Sequence, residues 1–325
     1  MVDNLRFAMW CGSQLITHHS SFLSPAGAQT LTLVELNCEN LFDVRHDSLK
    51  QDQEFLPDGE RHWTWGKYWR KVNAIGQVIL SCDDDLPDLV ALVEVENDSV
   101  LHALTRRSLL GRAGYHYLMT CSPDVRGLDV ALLYRSQRFR PLCYEALTVE
   151  PLPGQRPTRD ILYIKGVVAA DTLHVFVVHA PSRFGGERPT RPYRLQVARL
   201  IGQALEHLGP QARVVVAGDF NDYTDSPSLQ YLYRQGLTNT TAHARGSHGA
   251  RGTYRYRGEW RSIDHVLASP PLAERVDTVY INDAPFLLEE DEKYGGKKPR
   301  RTFMGTRYLR GFSDHLPLVV RFRCR

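Results

Sequence analysis

The stretch Val214-Val215-Val216-Ala217-Gly218-Asp219-Phe220-Asn221-Asp222 decides the fold prediction for this chain. Its β-branched residues predict a buried strand that ends at a glycine. Side chains alternate faces along an extended backbone, so Asp219 and Asn221 are expected to point the same way from the end of a sheet. There an acid can take a proton and an amide can hold an oxygen. The alternative is a strand that simply runs into a turn, because Gly, Asp and Asn all favour turns.

The same pattern, an apolar strand that ends in polar side chains, recurs along the chain. Residues 31–42 form the first predicted strand, with Asn37 and Glu39 sharing a face at its end. A second strand within residues 86–97 leads to Glu94, where a buried charge costs free energy unless it is paired or bound to a metal. Further strand ends carry His179, Asp219 with Asn221, Asp264, and Asp314 with His315.

The predicted strands are short and frequent, and a few helices separate them. Residues 68–79 and 193–208 have the spacing of amphipathic helices. The sequence has no internal repeat and no linker. This order of elements predicts one α/β domain over residues 29–325, with sheet packed on sheet and helices outside.

Composition sets limits on function without naming one. The chain has 325 residues, of which 42% are hydrophobic and 24% charged, and its net charge of +3 is too small to argue for nucleic acid by itself. No apolar run is long enough to span a membrane, so we expect no stable membrane insertion, and we expect a monomer. The six cysteines include no C-x-x-C pair, which disfavours a structural zinc site, and they define no disulfide framework.

Residues 1–28 are predicted to lie outside the domain. Ala26-Gly27-Ala28 fits the small-x-small pattern that precedes a signal-peptidase cut, although His18, His19 and several serines interrupt the apolar centre. We interpret the segment as a degraded export leader, with a disordered cytoplasmic tail as the alternative. A leader favours a secreted or periplasmic location over a cytoplasmic one.

The polar strand ends point to one kind of chemistry if they converge. They would bring together several carboxylates, two amides and two histidines. Carboxylate and amide oxygens are hard ligands that suit Mg²⁺ or Mn²⁺ better than zinc. Such an ion activates water and neutralises charge on a phosphate oxygen, and histidine serves as acid or base near neutral pH. These groups suit attack of water on a phosphate ester.

At this point the sequence resembles the endonuclease/exonuclease/phosphatase superfamily, which includes DNase I, exonuclease III-type repair nucleases, sphingomyelinases and inositol-polyphosphate 5-phosphatases. The resemblance runs from about residue 31 to 322, and six motifs occur in the family's order. These are Leu36-Asn37-Cys38-Glu39-Asn40, Val93-Glu94-Val95, His179-Ala180-Pro181-Ser182, Gly218-Asp219-Phe220-Asn221, Ile263-Asp264-His265 and Ser313-Asp314-His315. The resemblance implies a DNase I-like four-layer α+β sandwich, in which two packed mixed sheets are flanked by helices.

The resemblance also implies roles for individual residues. Glu94 would be the principal metal ligand, helped by Asn37, Glu39 and Asp314. Asp219 would orient or deprotonate the attacking water, and Asn221 would hold a phosphate oxygen. Asp264 would orient His315, which would stabilise the phosphate and its developing charge.

Four further positions complete the predicted site. His179 matches the place of a second catalytic histidine in DNase I-like members, where repair nucleases have tyrosine. Arg159 resembles an arginine that contacts phosphate in DNase I-like enzymes, and Arg183 is a nearby candidate for the same use. Asp129 is the nearest carboxylate that could pair with His179, although it is about one residue out of register.

Two classes of function remain open at the level of sequence. The first is a metal-dependent phosphoesterase, most simply a phosphodiesterase with a phosphate-ester substrate that could be DNA or RNA. A phosphatase or a sphingomyelinase-like lipid phosphodiesterase is the alternative within this class. The second is a non-catalytic binding protein on the same fold, although such a protein is expected to have lost at least one of Glu94, Asp219, Asp264 or His315.

Overall fold

The computed structural model describes residues 30–324. The predicted leader or tail, residues 1–28, lies outside the described residues, so its boundary with the domain stays a prediction. The strands are β1 Thr30–Leu41, β2 Leu89–Val95, β3 Tyr115–Met119, β4 Asp129–Arg135, β5 Arg140–Leu147, β6 Ile161–Val168, β7 Asp171–His179, β8 Val214–Asp219, β9 Thr238–Asn239, β10 Tyr254–Tyr256, β11 Glu259–Arg261, β12 Asp264–Ala268, β13 Val276–Ile281, β14 Leu288–Glu290, β15 Lys297–Pro299, β16 Phe303–Met304, β17 Arg307–Tyr308 and β18 Leu318–Arg323. The α-helices are α1 Trp65–Leu80, α2 Asp98–His102, α3 Glu187–Leu208, α4 Pro227–Arg234 and α5 Pro270–Ala273.

Two six-stranded mixed sheets form the centre of the fold. The first has the order β13-β18-β1-β2-β4-β3, and the second has the order β5-β6-β7-β8-β12-β9. The first contains one parallel pair, β1 with β2, and the second contains one, β7 with β8. The other pairs within these two sheets are antiparallel. The predicted α+β sandwich of two mixed sheets is confirmed.

The position of strand β7 explains why its residues 175–178 are all apolar. Val175 and Val177 pack in the large core that both sheets share, whereas Phe176 and Val178 pack with helices α3 and α4. A strand with both faces covered loses the alternation of polar and apolar residues that marks an exposed sheet. Strand β8 is buried on both faces in the same way, and α1 covers the first sheet, which completes four layers.

Strands β7 and β8 approach each other closely at Gly218. A Cβ at this position would lie 1.9 Å from the carbonyl oxygen of Val178, and the glycine has a φ of +151°. Only glycine fits such a close approach with this backbone conformation. Gly218 therefore allows the parallel pairing to continue to the strand ends, where His179 and Asp219 lie side by side.

One helix differs from the prediction. Helix α3 begins at Glu187 rather than Tyr193, so Pro192 lies inside it, and the pair between Glu187 and Arg191 supports the early turns. Two further segments have only short elements. Residues 98–111 contain the short α2, followed by a π turn and a 3-10 turn. Residues 288–310 contain the short strands β14 to β17 in two hairpins.

No helix in residues 30–324 is both long and apolar enough to cross a membrane.

Candidate active site

Strand register on the second sheet places three predicted site residues in one row. Asp219 on β8 is the parallel partner of His179 on β7 and the antiparallel partner of Asp264 on β12. Each lies two residues from a residue of the core between the sheets, namely Val177, Ala217 or Val266, and therefore points to the same face of its strand. The three side chains therefore lie at the ends of their strands, on the face of the second sheet that packs against the first sheet.

The first sheet brings its polar residues to the same edge. The side-chain amide of Asn37 donates a hydrogen bond of 3.2 Å to Oδ2 of Asp219, which joins the two sheets. Glu94 Oε1 lies 3.8 Å from Nε2 of His179, and Asp219 Oδ2 lies 3.9 Å from the same nitrogen. The structure thus brings together groups that stand up to 182 residues apart in the chain.

His315 is paired with Asp264. Its Nδ1 lies 2.8 Å and 3.0 Å from the two carboxylate oxygens of Asp264, and both residues are buried. The hydroxyl of Thr253 donates a further hydrogen bond to Asp264 Oδ2. Burial lowers the pKa of His315, but the charge and hydrogen bond of Asp264 outweigh it and hold the pKa well above its usual value. At neutral pH His315 is therefore a cation with Nε2 available to a substrate.

His179 has the opposite preference. Burial, reinforced by the positive charges of Arg159 and Arg126, holds its pKa well below the usual value. Its Nδ1 is buried and has no hydrogen-bond partner within residues 30–324. His179 is therefore neutral at pH 7 and acts as a hydrogen-bonding group rather than a charge.

Asp219, Asp264 and His315 form a compact group whose ligand-type atoms all lie within 4.8 Å of one another. Burial, together with the negative charge of Asp264, raises the pKa of Asp219 to about 8. Asp219 also accepts a hydrogen bond of 2.7 Å from the backbone N–H of Asn221. A carboxylate at this place can accept a proton near neutral pH and is held in position from both sheets.

Glu39 and Asp314 both lie close to the guanidinium group of Arg301. The backbone N–H groups of Thr302 and Phe303 donate to the two oxygens of Glu39, at 2.5 Å and 3.1 Å. Arg301 lies with Nε 3.5 Å from Glu39 and donates from Nη2 to Asp314 Oδ2 at 2.9 Å. Glu39 therefore anchors the segment that carries Arg301, and Asp314 keeps Oδ1 as its less engaged oxygen.

Four site positions have a left-handed backbone, which non-glycine residues rarely adopt. The φ angles are +49° at Glu39, +60° at Asn40, +62° at Glu94 and +50° at Asn221. Strand β8 ends at Asp219, so the expectation of an extended backbone through Asn221 was wrong. The side-chain amide of Asn221 instead donates to the carbonyl of Ala180, the residue after His179. Backbone strain of this kind is concentrated at functional sites.

The remaining predicted residues lie at different distances from this group. Arg159 is close enough to His179 to lower its pKa and is held at 3.1 Å by Asp124. Arg183 stacks on Tyr223, beyond the row of strand ends. Asp129 accepts hydrogen bonds from Thr120 and Ser122, and the structure does not place it in contact with His179.

Sequence reasoning missed several residues at the site. Glu35 on β1 is fully buried, neither of its carboxylate oxygens has a hydrogen-bond partner in residues 30–324, and burial followed by the charges of Asp264 and Asp219 raises its pKa. A charge inside an otherwise apolar strand was the signal that could have found it. Arg126, which donates to the side chain of Asn40, and Lys71, which holds Thr302, gave no such signal.

Comparisons with known proteins identify the family of this chain. A sequence profile described as Endonuclease/Exonuclease/phosphatase family matches residues 32–324. Among curated proteins, no sequence matches the chain.

Solved structures share the fold at low sequence identity. An endonuclease/exonuclease/phosphatase family protein from Bacteroides thetaiotaomicron is 16% identical, with a TM-score of 0.60 over 91% of this chain and 98% of that chain. A humanized D. rerio TDP2 is 17% identical, with a TM-score of 0.58 over 91% and 99%. A mannosyl-6-phosphatase from Bacteroides thetaiotaomicron is 16% identical, with a TM-score of 0.57 over 89% and 98%.

Proposed function

This chain belongs to the endonuclease/exonuclease/phosphatase family, and we propose from this premise that it is a divalent-metal-dependent phosphoesterase that hydrolyses a phosphodiester. The observation that carries the proposal is the charged pair of Asp264 and His315 beside Asp219, with neutral His179 on the other side. A base, a cation and a neutral donor are the groups that attack of water on a phosphate needs. The activity is assigned to a monomeric single domain of residues 29–325.

The residues present fit a hard divalent cation. Glu94 gives one oxygen, Oε2, to the backbone N–H of Asn40 and leaves Oε1 directed at the site, and Asp314 Oδ1 is the less engaged oxygen of its carboxylate. The close carboxylates of Glu94 and Asp219 also favour a positive charge. Glu94, assisted by Asn37 and Asp314, would hold Mg²⁺ or Mn²⁺. Glu39 fits less well as a ligand, because its oxygens are already used by two backbone N–H groups.

When bound there, such an ion supplies positive charge to a phosphate oxygen and acidifies water. In the proposed mechanism Asp219 orients the attacking water and takes its proton. Without a metal its pKa is about 8, and a cation held by Glu94 would lower it, which favours the ionised form that a base needs near neutral pH. The amide of Asn37 and the backbone N–H of Asn221 hold the carboxylate, so that its remaining lone pairs point at the water.

The two histidines would then divide the work on the phosphate. His315, held as a cation by Asp264, stabilises the negative charge that develops on the phosphate oxygens. His179 is neutral and donates a hydrogen bond to a second phosphate oxygen. The amide of Asn221, which donates to the carbonyl of Ala180, would contact the same group.

The proposal is tested by the hydrolysis of bis(p-nitrophenyl) phosphate and p-nitrophenyl phosphate with Mg²⁺, with Mn²⁺ and with EDTA. We expect diester hydrolysis that requires the metal and falls about 10³-fold in Asp219→Asn, because the general base is lost. Asp277→Asn, which changes an exposed carboxyl group on β13, is the matched control and should keep wild-type activity.

Three results would decide against parts of the proposal. Equal activity in wild type and Asp219→Asn would refute the assigned base. Preference for the monoester would indicate a phosphatase, the reaction named for one of the similar structures. Tight binding of phosphate esters without turnover of DNA, RNA, phosphoinositides or sphingomyelin would indicate a non-catalytic binding protein.

A further inference from the structure

Two guanidinium groups lie over the ring of Tyr223, two positions beyond Asn221. Cζ of Arg183 is 4.5 Å from the ring centroid and Cζ of Arg261 is 4.7 Å from it. Guanidinium groups at this distance are attracted to an aromatic ring. We call these three residues the Arg–Tyr–Arg stack.

Each member of the stack continues a segment that leaves the candidate site. Arg183 follows His179 by four residues, so the two Cα atoms are at most about 14 Å apart. Arg261 precedes Asp264 by three residues and pairs across β10–β11 with Tyr254, whose ring centroid is 5.0 Å from that of His315. Short segments of chain thus connect the stack to His179 and Asp264, and the pairing with Tyr254 connects it to His315.

The backbone under Tyr223 is fixed. Its neighbour Asp222 is fully buried, with Oδ1 2.7 Å from Nε of the equally buried Arg194 and Oδ2 2.6 Å from the hydroxyl of Ser228. The N–H of Tyr223 donates to the hydroxyl of Ser226 at 3.0 Å. The ring is thus positioned before any ligand arrives, which lowers the entropic cost of binding.

The positive charges of the stack are only weakly compensated, Arg183 by the nearby charge of Glu187 and Arg261 by Glu259. Within residues 30–324, Arg183 forms no ion pair, and its buried Nη1 has no hydrogen-bond partner. Arg261 has only the exposed Glu259 at 3.3 Å, and such a pair is weak in water. Phe184, the residue after Arg183 in the chain, has a side chain that is 93% exposed and presents a large apolar surface to solvent.

From these contacts we propose that the Arg–Tyr–Arg stack and Phe184 form a binding subsite for the nucleotide next to the scissile phosphodiester, and that the ligand is a single-stranded nucleic acid. The guanidinium groups take the phosphate, and Phe184 offers a face on which a base stacks. This inference rests on the proposed function for the reaction, but the binding that it describes can be measured without turnover.

Binding is measured by the fluorescence anisotropy of a labelled single-stranded oligodeoxynucleotide with the full chain in EDTA, over a range of salt concentrations. We expect Arg183→Ala and Arg261→Ala each to weaken binding about tenfold and to reduce the slope of log affinity against log salt by about 0.7, the value for one phosphate contact. Phe184→Ala should weaken binding about fivefold or more with little change in the slope. Arg188→Ala, at an exposed position outside the stack, is the matched control and should match wild type in affinity and slope.

Unchanged affinity and slope in Arg183→Ala and Arg261→Ala, with melting temperatures like wild type, would overturn the subsite. Arginine-dependent binding to phosphatidic acid vesicles in place of the oligonucleotide would overturn it as well. Failure of the proposed function gives a different result from failure of the subsite. In that case the chain would bind the oligonucleotide through these arginines but would leave every diester intact with metal present.

Discussion

The two sheets present histidines of opposite charge to the same site. His315, next to the first sheet, is buried and cationic, whereas His179, at the end of β7 in the second sheet, is buried and neutral. Burial opposes the proton in both cases, so burial does not explain the difference. The explanation is the neighbours. Asp264 lies within hydrogen-bond distance of His315, at 2.8 Å, whereas the carboxylates nearest to His179 are at 3.8 Å and 3.9 Å and two arginines act against its proton. The charge of a buried histidine therefore depends on its neighbours.

The largest expected effect follows from replacing each histidine in turn. His315→Gln should lower kcat on a phosphodiester about 10³-fold, since it removes a charge aimed at the developing charge of the phosphate. His179→Gln should lower kcat only about tenfold, the value of one neutral hydrogen bond. Steady-state kinetics on both variants measures the two effects, and equal losses would break the comparison between the two sheets.

A second experiment changes the neighbour instead of the histidine. Asp264→Asn removes the largest influence that opposes burial, so the pKa of His315 should fall, although the charges of Asp314 and Asp219 still raise it. The cation is lost as pH rises through this pKa, so the alkaline limb of kcat/KM should shift to lower pH, and activity at pH 8 should fall about 10²-fold. The measurement is the pH profile of the variant beside wild type. An alkaline limb that stays in place would show that Asp264 does not set the charge.

The smallest effect concerns a third histidine, His174 on β7. It is buried, and within residues 30–324 it forms no ion pair with a carboxylate. Burial, followed by the charge of Lys165, lowers its pKa to about 4. Because the unfolded chain binds the proton more readily, its contribution to stability is complete above about pH 6.5 and is lost as pH falls toward 4. The loss should reach about 2 kcal/mol after allowance for screening.

Urea unfolding of wild type and His174→Gln between pH 7 and pH 4 measures this loss. The variant should lose less stability over that range than wild type does. Parallel curves of unfolding free energy against pH for the two proteins would show that burial does not keep this histidine neutral. The explanation given for the charges of His315 and His179 would then lack support from a histidine that has no carboxylate partner.

Much of the fold and the position of the site could be predicted from sequence, because strand ends carry a local signal. A buried run such as Val214–Asp219 followed by polar residues identifies both the strand and its functional end. Asp219, Asp264 and His315 were found in this way, and the structure brings them together within 4.8 Å. Their catalytic roles stay predictions.

The electrostatic environment could not be predicted, because it depends on residues that are distant in sequence. Arg301 contacts Glu39 and Asp314 from a segment about 260 residues after Glu39. The local pattern at Glu39 is that of a metal ligand, whereas its contacts are those of an anchor for Thr302 and Phe303. Likewise Asp129 is near His179 in the predicted order of strands, but its own hydrogen bonds turn it toward Ser122.

The left-handed backbone at Glu39, Glu94 and Asn221 has a consequence for how this protein can change over generations. Each such residue stores about 1–2 kcal/mol that a glycine would release in part. At Glu39 the hydrogen bonds to Thr302 and Phe303 offset this gain. Random mutation under selection for thermal robustness alone would therefore find improvements at Glu94 and Asn221, and would remove these polar side chains while leaving the sandwich intact. Under that selection the chemistry of this chain would disappear before its architecture, and retention of these side chains in a stable descendant would be a sign that turnover was still under selection.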